Sequence, residues 1–458
     1  MKDIIFTFHE GSPKYKQVYE RFKRWIEQGE LLPGEQLPSI RRLADSLQVS
    51  RNTTLMAYEQ LMAEGYIQGE SRRGYFVNRM EPLFLREAPS RSVRPASPEP
   101  SVTVDFRAGA VDQAHFPLKA WRRMLNRVLA EKESFLYGDP FGERRLREQI
   151  TKYLFQSRGV SADPDAIIIG SSTQQMLLQL GHVLREDHSA VAVEDPGYDG
   201  AWEAFRFHSF GIRTLPVHET GIDLSHLDRT DAGVAYVTPS HQSPLGVSMT
   251  IRQRQALLNW AASREGYVIE DDYDSEFRYT GKPFPALAAI DSSRVVYLGN
   301  FSKSFLPGIR LGYMVLPPGL LDRYRTRFHN FETTASLPNQ LAMARFMEDG
   351  EWSRHIKRMR LVYKRKMMQL ISVLDRLFGG QVTMVGKESG LFLLIKVHLP
   401  YTEEELIRRA ALQGVRVYPS SAYFICNHPD RPMIKLGFSS LSAEEIGLGA
   451  ELLKKAWV

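Results

Sequence analysis

Cysteine is nearly absent. The 458 residues contain one, Cys426, so no disulfide can close within the chain. A small core or surface side chain is the simpler reading of that residue than a catalytic thiol. No apolar run approaches the roughly eighteen residues that a membrane helix needs. The opening residues, Met1-Lys2-Asp3-Ile4-Ile5-Phe6, lack the apolar core of a secretory signal, and the expectation is a cytoplasmic protein. A strong excess of one charge is missing too. Net charge is +6, and the first eighty residues hold twelve Lys or Arg against ten Asp or Glu. This excludes a basic tail that binds polyanions by bulk charge. Any DNA contact there must rest on a few placed cations.

What is present is an ordinary globular composition, 43% hydrophobic and 24% charged. At roughly 150 residues each, the length predicts about three structural units. Residues 81–103 change character: Pro82, Pro89, Pro95, Pro98 and Pro100 alternate with Ser90, Ser92, Ser97 and Ser101. That reads as a linker between a domain at 1–80 and a larger one at 104–458. As flexible coil it would span roughly 25 Å. Beyond it, short β-branched runs at 166–169, 190–193, 234–237, 267–269 and 295–298 alternate with helical stretches such as 174–184 and 252–264. Apolar strands alternating with helices predict an α/β lobe with a mostly parallel sheet covered on both faces. From about 330 to 458 the pattern predicts a smaller α+β lobe. No internal repeat is visible.

The first domain carries a DNA-reading pattern. Ile40, Leu43, Ala44 and Leu47 share one helical face, after Pro38 and a capping Ser39. Gln48-Val49 makes a turn. Ser50 then caps a second helix, whose expected buried stripe is Leu55, Tyr58, Leu61 and Met62. Arg51, Asn52 and Thr53 fall in its first turn. In a helix-turn-helix that turn meets base edges in the major groove, where Arg pairs with guanine and Asn with adenine. Gly65-Tyr66-Ile67-Gln68 and Gly74-Tyr75-Phe76-Val77 flank Ser71-Arg72-Arg73, a hairpin with two cations at its tip.

Residues 10–78 resemble the winged helix of GntR-type regulators. The likeness rests on Leu37-Pro38-Ser39-Ile40-Arg41-Arg42-Leu43-Ala44, on Val49-Ser50-Arg51-Asn52-Thr53 and on Tyr58-Glu59-Gln60-Leu61. It implies that Arg41, Arg51, Thr53 and the wing around Gly74 face double-stranded DNA.

The second domain places chemistry at strand ends, where α/β proteins bind ligands. Gly299-Asn300-Phe301-Ser302-Lys303-Ser304-Phe305 follows a strand. A held, partly desolvated lysine there suits a Schiff base to a phosphorylated aldehyde, with Ser302 and Arg310 near the phosphate. Glu270-Asp271-Asp272-Tyr273 follows another strand. Asp271 can partner a pyridinium nitrogen and Tyr273 the ring's phenolic oxygen. Gly170-Ser171-Ser172-Thr173-Gln174-Gln175 opens a helix whose free N–H groups suit a phosphate. Asp195-Pro196-Gly197-Tyr198 offers Tyr198 for stacking, and Pro239-Ser240-His241-Gln242-Ser243-Pro244 ends a further strand. Each motif alone has a plain structural explanation, such as a capped helix or an acidic loop. Their order along one chain is that of a single pocket.

That order resembles fold-type-I aminotransferases over 104–458. The resemblance implies pyridoxal 5'-phosphate on Lys303, Asp271 and Tyr273 at the ring, and Ser172, Thr173, Gln174, Ser302 and Arg310 at the phosphate. Tyr137, in Tyr137-Gly138-Asp139-Pro140, resembles the tyrosine that reaches the neighbouring subunit's phosphate, which implies a homodimer. The whole chain resembles the MocR/GabR group of regulators. The group implies a head-to-tail dimer whose cofactor-bearing domain senses an amine or amino-acid effector. Two departures stand out. Lys435, in Ile434-Lys435-Leu436-Gly437-Phe438, sits where aminotransferases commonly carry the arginine that forks onto the α-carboxylate, so it is an effector-binding candidate. Ser243 stands where many carry asparagine, leaving His241 or Gln242 as a substitute at the ring oxygen. A regulator is therefore the leading reading. A turnover aminotransferase with an accessory DNA module, or a cofactor-free scaffold, are the alternatives. No metal is expected.

Overall fold

The computed structural model describes residues 7–79, 102–281 and 284–458. These fall into two compact units, one within Met1–Ser97 and one within Pro98–Val458. The expected linker at 81–103 lies outside the described residues except for Val102 and Thr103.

The first unit packs three helices against a small sheet. Helix α1 (Lys14–Glu27) buries Val18, Phe22 and Ile26, one residue per turn. In α2 (Ile40–Leu47) the Ser39 side chain accepts the Arg42 N–H at 3.2 Å, and in α3 (Arg51–Ala63) Ser50 accepts the Thr53 N–H at 3.1 Å. Both caps satisfy N–H groups that a helix start leaves free. Gln48 ends α2 in the left-handed region at φ 50°, which sets the turn between them. The buried stripe of α3 differs from the expected one. Thr54, Ala57, Tyr58 and Leu61 are buried, while Leu55 and Met62 are half-buried. Tyr58 sets this phase, because its ring packs on Phe22 and Tyr75 and its hydroxyl donates to the Pro38 carbonyl at 3.0 Å. Strands β1 (Gln36–Leu37), β2 (Ile67–Glu70) and β3 (Gly74–Val77) form an antiparallel sheet in the order β1-β3-β2. The β2–β3 hairpin is the wing.

The second unit holds an eight-stranded sheet. After β4 (Val104–Asp105) its strands are β5 (Ile167–Gly170), β6 (Ala190–Asp195), β7 (Gly211–His218), β8 (Gly221–Ile222), β9 (Val234–Val237), β10 (Tyr267–Asp272), β11 (Val295–Asn300) and β12 (Gly312–Val315). The order is β5-β12-β11-β10-β9-β6-β7-β8. Neighbours from β11 through β7 run parallel, whereas β12 is antiparallel to both β11 and β5. Strands β7 and β12 were not among the expected runs. The helices are α4 (Leu118–Leu129), α5 (Arg144–Arg158), α6 (Thr173–Leu184), α7 (Asp199–Phe207), α8 (Ile251–Ser263), α9 (Leu287–Ile290), α10 (Pro318–Phe328) and α11 (Leu337–Glu348). Alternate strand residues enter opposite cores: Ile167 and Ile169 face Leu146, Ile150 and Leu257, while Ile168 faces Leu177 and Phe205. That is the period-two consequence of a sheet covered on both sides.

The long helix α12 (Glu351–Phe378) leads into the smaller lobe. There β13 (Val382–Val385), β14 (Phe392–Val397), β16 (Tyr418–Pro419) and β17 (Met433–Gly437) form a sheet in the order β13-β14-β17-β16. Strand β15 (Val415–Arg416) pairs with β4 instead. Helices α13 (Glu403–Leu412) and α14 (Ala443–Trp457) complete a core with Tyr363, Leu370, Leu393 and Ile434. Among the described residues no helix is long and apolar enough to cross a membrane.

Candidate functional site

Strand ends of the large sheet open into a cavity of about 350 Å³. Lys303 lines it from the turn after β11. Gly109, at φ +95°, borders the Lys303 amine so closely that any Cβ there would collide with Nζ. Burial pushes the Lys303 ammonium below its ordinary value, so more of it is the neutral, nucleophilic amine.

Asp271 faces the same cavity from β10. Strand alternation turns its neighbours the other way: Asp272 pairs with buried Arg158 at 2.7 Å and with the Tyr297 hydroxyl, and Glu270 accepts the N–H groups of Leu287 and Ala288. Asp271 Oδ2 accepts the Tyr236 hydroxyl at 2.5 Å, but Oδ1 is buried with no partner. Burial pushes this carboxyl up to about 7, against the hydrogen bond from Tyr236. A cationic ring nitrogen at Oδ1 would fill the missing contact and favour the carboxylate.

The start of α6 supplies an anion-binding edge. Ser172, Thr173 and Gln174 line the cavity, and Ser172 also caps the helix by accepting the Gln175 N–H at 3.2 Å. The N–H groups of Thr173 and Gln174 have no protein partner among the described residues, as helix starts dictate. Ser302 and Arg310 line the cavity as well. Tyr198 does too, with its ring folded over Gly200, where a Cβ would strike it.

Of the expected residues, His241 lies elsewhere, and Tyr137, expected at a partner's site, is outside this one. His241 does not line the cavity. It is buried behind Tyr273, with Nδ1 2.9 Å from Asp274 Oδ1 and 3.0 Å from the Tyr273 hydroxyl. Gly390 leaves room for that ring. Ser243 lines the cavity in its stead, on the side of the Tyr273 hydroxyl. Tyr137 is 79% exposed and outside its own chain's cavity.

Lys435 lines the far end. Its Nζ lies over the Phe392 ring at 4.0 Å and the Tyr423 ring at 4.5 Å, and donates to the Tyr423 hydroxyl at 3.3 Å. Burial lowers its ammonium to about 7, with the Lys303 charge adding to the shift. Gly109, Asn300, Phe392 and Tyr423 were missed from the sequence. Tyr423 comes from a loop without any pattern. Asp195 fixes that loop by accepting the N–H groups of Ile425, Cys426 and Asn427 at 2.8–3.1 Å.

On the first unit, Arg41, Arg51, Asn52, Arg72 and Arg73 are exposed. Thr53 is half-buried, its hydroxyl 2.8 Å from the capping Ser50 Oγ. Arg41, Arg51 and Arg72 have no ion pair among the described residues, whereas Arg73 pairs with Glu70 at 2.6 Å. Arg72 holds φ 61° at the wing tip, and Gly74 follows at φ +110°. No group of His, Cys, Asp and Glu suited to a metal occurs among the described residues.

Known families match both units. Residues 14–77 match the bacterial regulatory proteins of the gntR family, and residues 102–451 match aminotransferase class I and II. An uncharacterised HTH-type transcriptional regulator of Bacillus subtilis, YdeL, is 40% identical over 450 residues, covering 97% of each chain. The probable rhizopine catabolism regulatory protein MocR of Rhizobium meliloti is 32% identical over 97% of this chain and 94% of its own. The kynurenine aminotransferase of Pyrococcus horikoshii, solved with PMP, superposes with a TM-score of 0.70 at 27% identity, over 78% of this chain and 90% of that one. A gntR-type winged helix joined to a class I and II aminotransferase domain, matched along nearly its whole length, makes the chain a member of the MocR group of HTH-type regulators.

Proposed function

We propose that this chain is a transcription regulator that reads double-stranded DNA through its winged helix and binds pyridoxal 5'-phosphate in the cavity around Lys303. One observation carries the reading. A desolvated lysine and a buried, half-satisfied aspartate face each other's cavity in a chain that also presents a capped reading helix with exposed Arg51 and Asn52.

When bound, pyridoxal phosphate supplies an aldehyde carbon that amines attack and a ring that draws electrons from it. Lys303 would hold that carbon. Asp271 Oδ1 would take the ring nitrogen, Tyr273 with Ser243 the phenolic oxygen, and Tyr198 a ring face. The α6 start, with Ser172, Thr173 and Gln174, would take the phosphate together with Ser302 and Arg310. The effector is a small amine or amino acid that competes with Lys303 and meets Lys435 at the far end. Lysine offers one ammonium instead of a bidentate fork, which disfavours the α-carboxylate grip of a turnover aminotransferase. Exposed Phe135, Leu136 and Tyr137 support a homodimer in which Tyr137 reaches the partner's phosphate. On DNA, Arg51 and Asn52 read bases while Arg41, Arg72, Arg73 and the Gly74 wing position the backbone. Such a protein works in the cytoplasm, where its DNA is.

The test combines absorption and DNA binding on the purified chain. The visible band of a lysine-linked cofactor is expected, to be shifted by one class in a panel of amines. The same amine is expected to alter binding to a duplex selected from a random-sequence pool. A chain that selects no duplex, with or without cofactor, overturns the regulator.

A further inference from the structure

The winged unit has a net charge of only +2 over the first eighty residues, so a second cationic surface elsewhere on the chain would add appreciably to its hold on duplex phosphates. Helix α12 offers them. From Arg354 to Lys366 it carries seven Lys or Arg and no Asp or Glu. Three are engaged: Arg354 with Glu351 at 3.2 Å, Arg360 with the Glu276 carbonyl at 2.7 Å, and Lys366 with Asp112 at 2.6 Å. Lys357, Arg358, Lys364 and Arg365 are exposed and have no ion pair or hydrogen bond among the described residues. Lys357 and Lys364, like Arg358 and Arg365, are seven residues apart, and each lies three or four residues from exposed Leu361 between the pairs, which places all four on one helical face. The two pairs stand two turns apart, about 10.5 Å along the axis. That rise is close to the roughly 12 Å width of a duplex major groove.

The acids bordering this face are already occupied. Asp112 holds Lys366 and His115, Glu351 holds Arg123 and Arg354, and Glu445 caps α14 through the Ser442 N–H at 2.7 Å. Helix α4 also carries Arg123 and Arg127, but these are taken up by Glu351 and Asp349 at 3.2–3.9 Å, so the four exposed cations of α12 stand without acidic partners among the described residues. An unneutralised cationic face of this kind suits a polyanion.

We propose that the exposed face of α12 is a second DNA-contacting surface, gripping duplex phosphates outside the base pairs that α3 reads. The inference rests on the DNA-binding reading above. It adds that the aminotransferase-like unit itself holds duplex, through backbone charge and without base recognition.

The experiment measures affinity against salt for the full chain on a mixed-sequence duplex of about 60 base pairs. Three multiple variants are compared with wild type. One neutralises α12 (Lys357→Gln, Arg358→Gln, Lys364→Gln and Arg365→Gln). One neutralises the reader (Arg41→Gln and Arg51→Gln). A control removes four exposed cations elsewhere (Lys152→Gln, Arg252→Gln, Lys387→Gln and Lys455→Gln). Each lost phosphate contact lowers the salt slope by about 0.9. The α12 variant is expected to lose two to four such steps, the control less than one. Equal slopes for wild type and the α12 variant overturn the proposal while a weakened reader variant leaves the regulator standing. An equal loss in the control also overturns it, since bulk charge would then explain the effect. Light scattering on the same samples closes the remaining route: a change of oligomeric state in the α12 variant assigns the face to a second copy and overturns it too. No binding by any form defeats the regulator reading itself.

Discussion

In the winged unit the groups singled out for function are exposed and mostly free, while around Lys303 they are buried and mutually dependent. Arg41, Arg51 and Arg72 reach into solvent without ion pairs among the described residues. Lys303, Asp271 and Lys435 share one cavity, and burial displaces each from its ordinary protonation. The difference separates two ways of using charge. Exposed cations lose little on substitution and act by meeting phosphates, so their effects are modest and salt-dependent. Buried groups depend on partners that must be present, so removing one strands another.

The sharpest separation is expected at Lys303. Lys303→Ala should abolish the visible absorption of a lysine-linked cofactor altogether, while binding to a mixed-sequence duplex stays within about twofold. An equal collapse of DNA binding would break the division between the regions. Asp271→Asn comes next. It removes the carboxylate that a ring nitrogen needs, and truncating one side of a buried charged pair costs about 3 kcal/mol. Roughly a hundredfold weaker retention of pyridoxal phosphate is expected in equilibrium dialysis. Unchanged retention would deny Asp271 its role.

The two regions also differ in how much the sequence discloses. In the winged unit, the caps at Ser39 and Ser50, both helices and the basic wing tip follow from local rules. The miss there was a phase: Tyr58 anchors α3 through contacts with Phe22 and Tyr75, which no local pattern contains. Around the cavity, strand-end motifs disclosed Lys303, Asp271 and the α6 edge. Strand β12 escaped because it is only four residues long and opens on Gly312, a residue type depleted in strands. His241 was misplaced because its position depends on Gly390, far along the chain, leaving it a cavity beside Asp274. Tyr423 was invisible for the same reason. Its place is set by Asp195, more than two hundred residues earlier.

Lys435 tests the buried side by pH. Its ammonium falls from 10.5 to about 7 on folding. Between these values the unfolded chain binds the proton and the folded chain does not, so stability from this group rises with pH through that window. Below about pH 7 both forms are protonated and the burial cost is full. Lys435→Met should therefore stabilise the apoprotein most near pH 6, by about 2 kcal/mol after the lost contacts with Phe392 and Tyr423. The gain should fade towards pH 10, as read by denaturant melts. A gain that is flat with pH would mean that Lys435 is charged throughout.

On the exposed side, Arg51→Ala should weaken a selected duplex by about tenfold and relax its preference at one base pair, measured by competition binding. An equal loss on every sequence would move Arg51 from base edge to backbone.

The smallest expected effect lies within the wing. Arg72 and Arg73 are adjacent and both exposed, but Arg73 is committed to Glu70 at 2.6 Å and lies over the Phe76 ring at 5.6 Å. To reach a phosphate it must release that pair, which at an exposed site costs at most about 1 kcal/mol. Arg72→Gln should lower the salt slope by about 0.9, a full contact, and Arg73→Gln by less. Glu70→Gln removes the competitor, so it should raise duplex affinity slightly and make Arg73→Gln as costly as Arg72→Gln. If Glu70→Gln weakens binding instead, the pair shapes the wing for DNA and its charge is not a competitor.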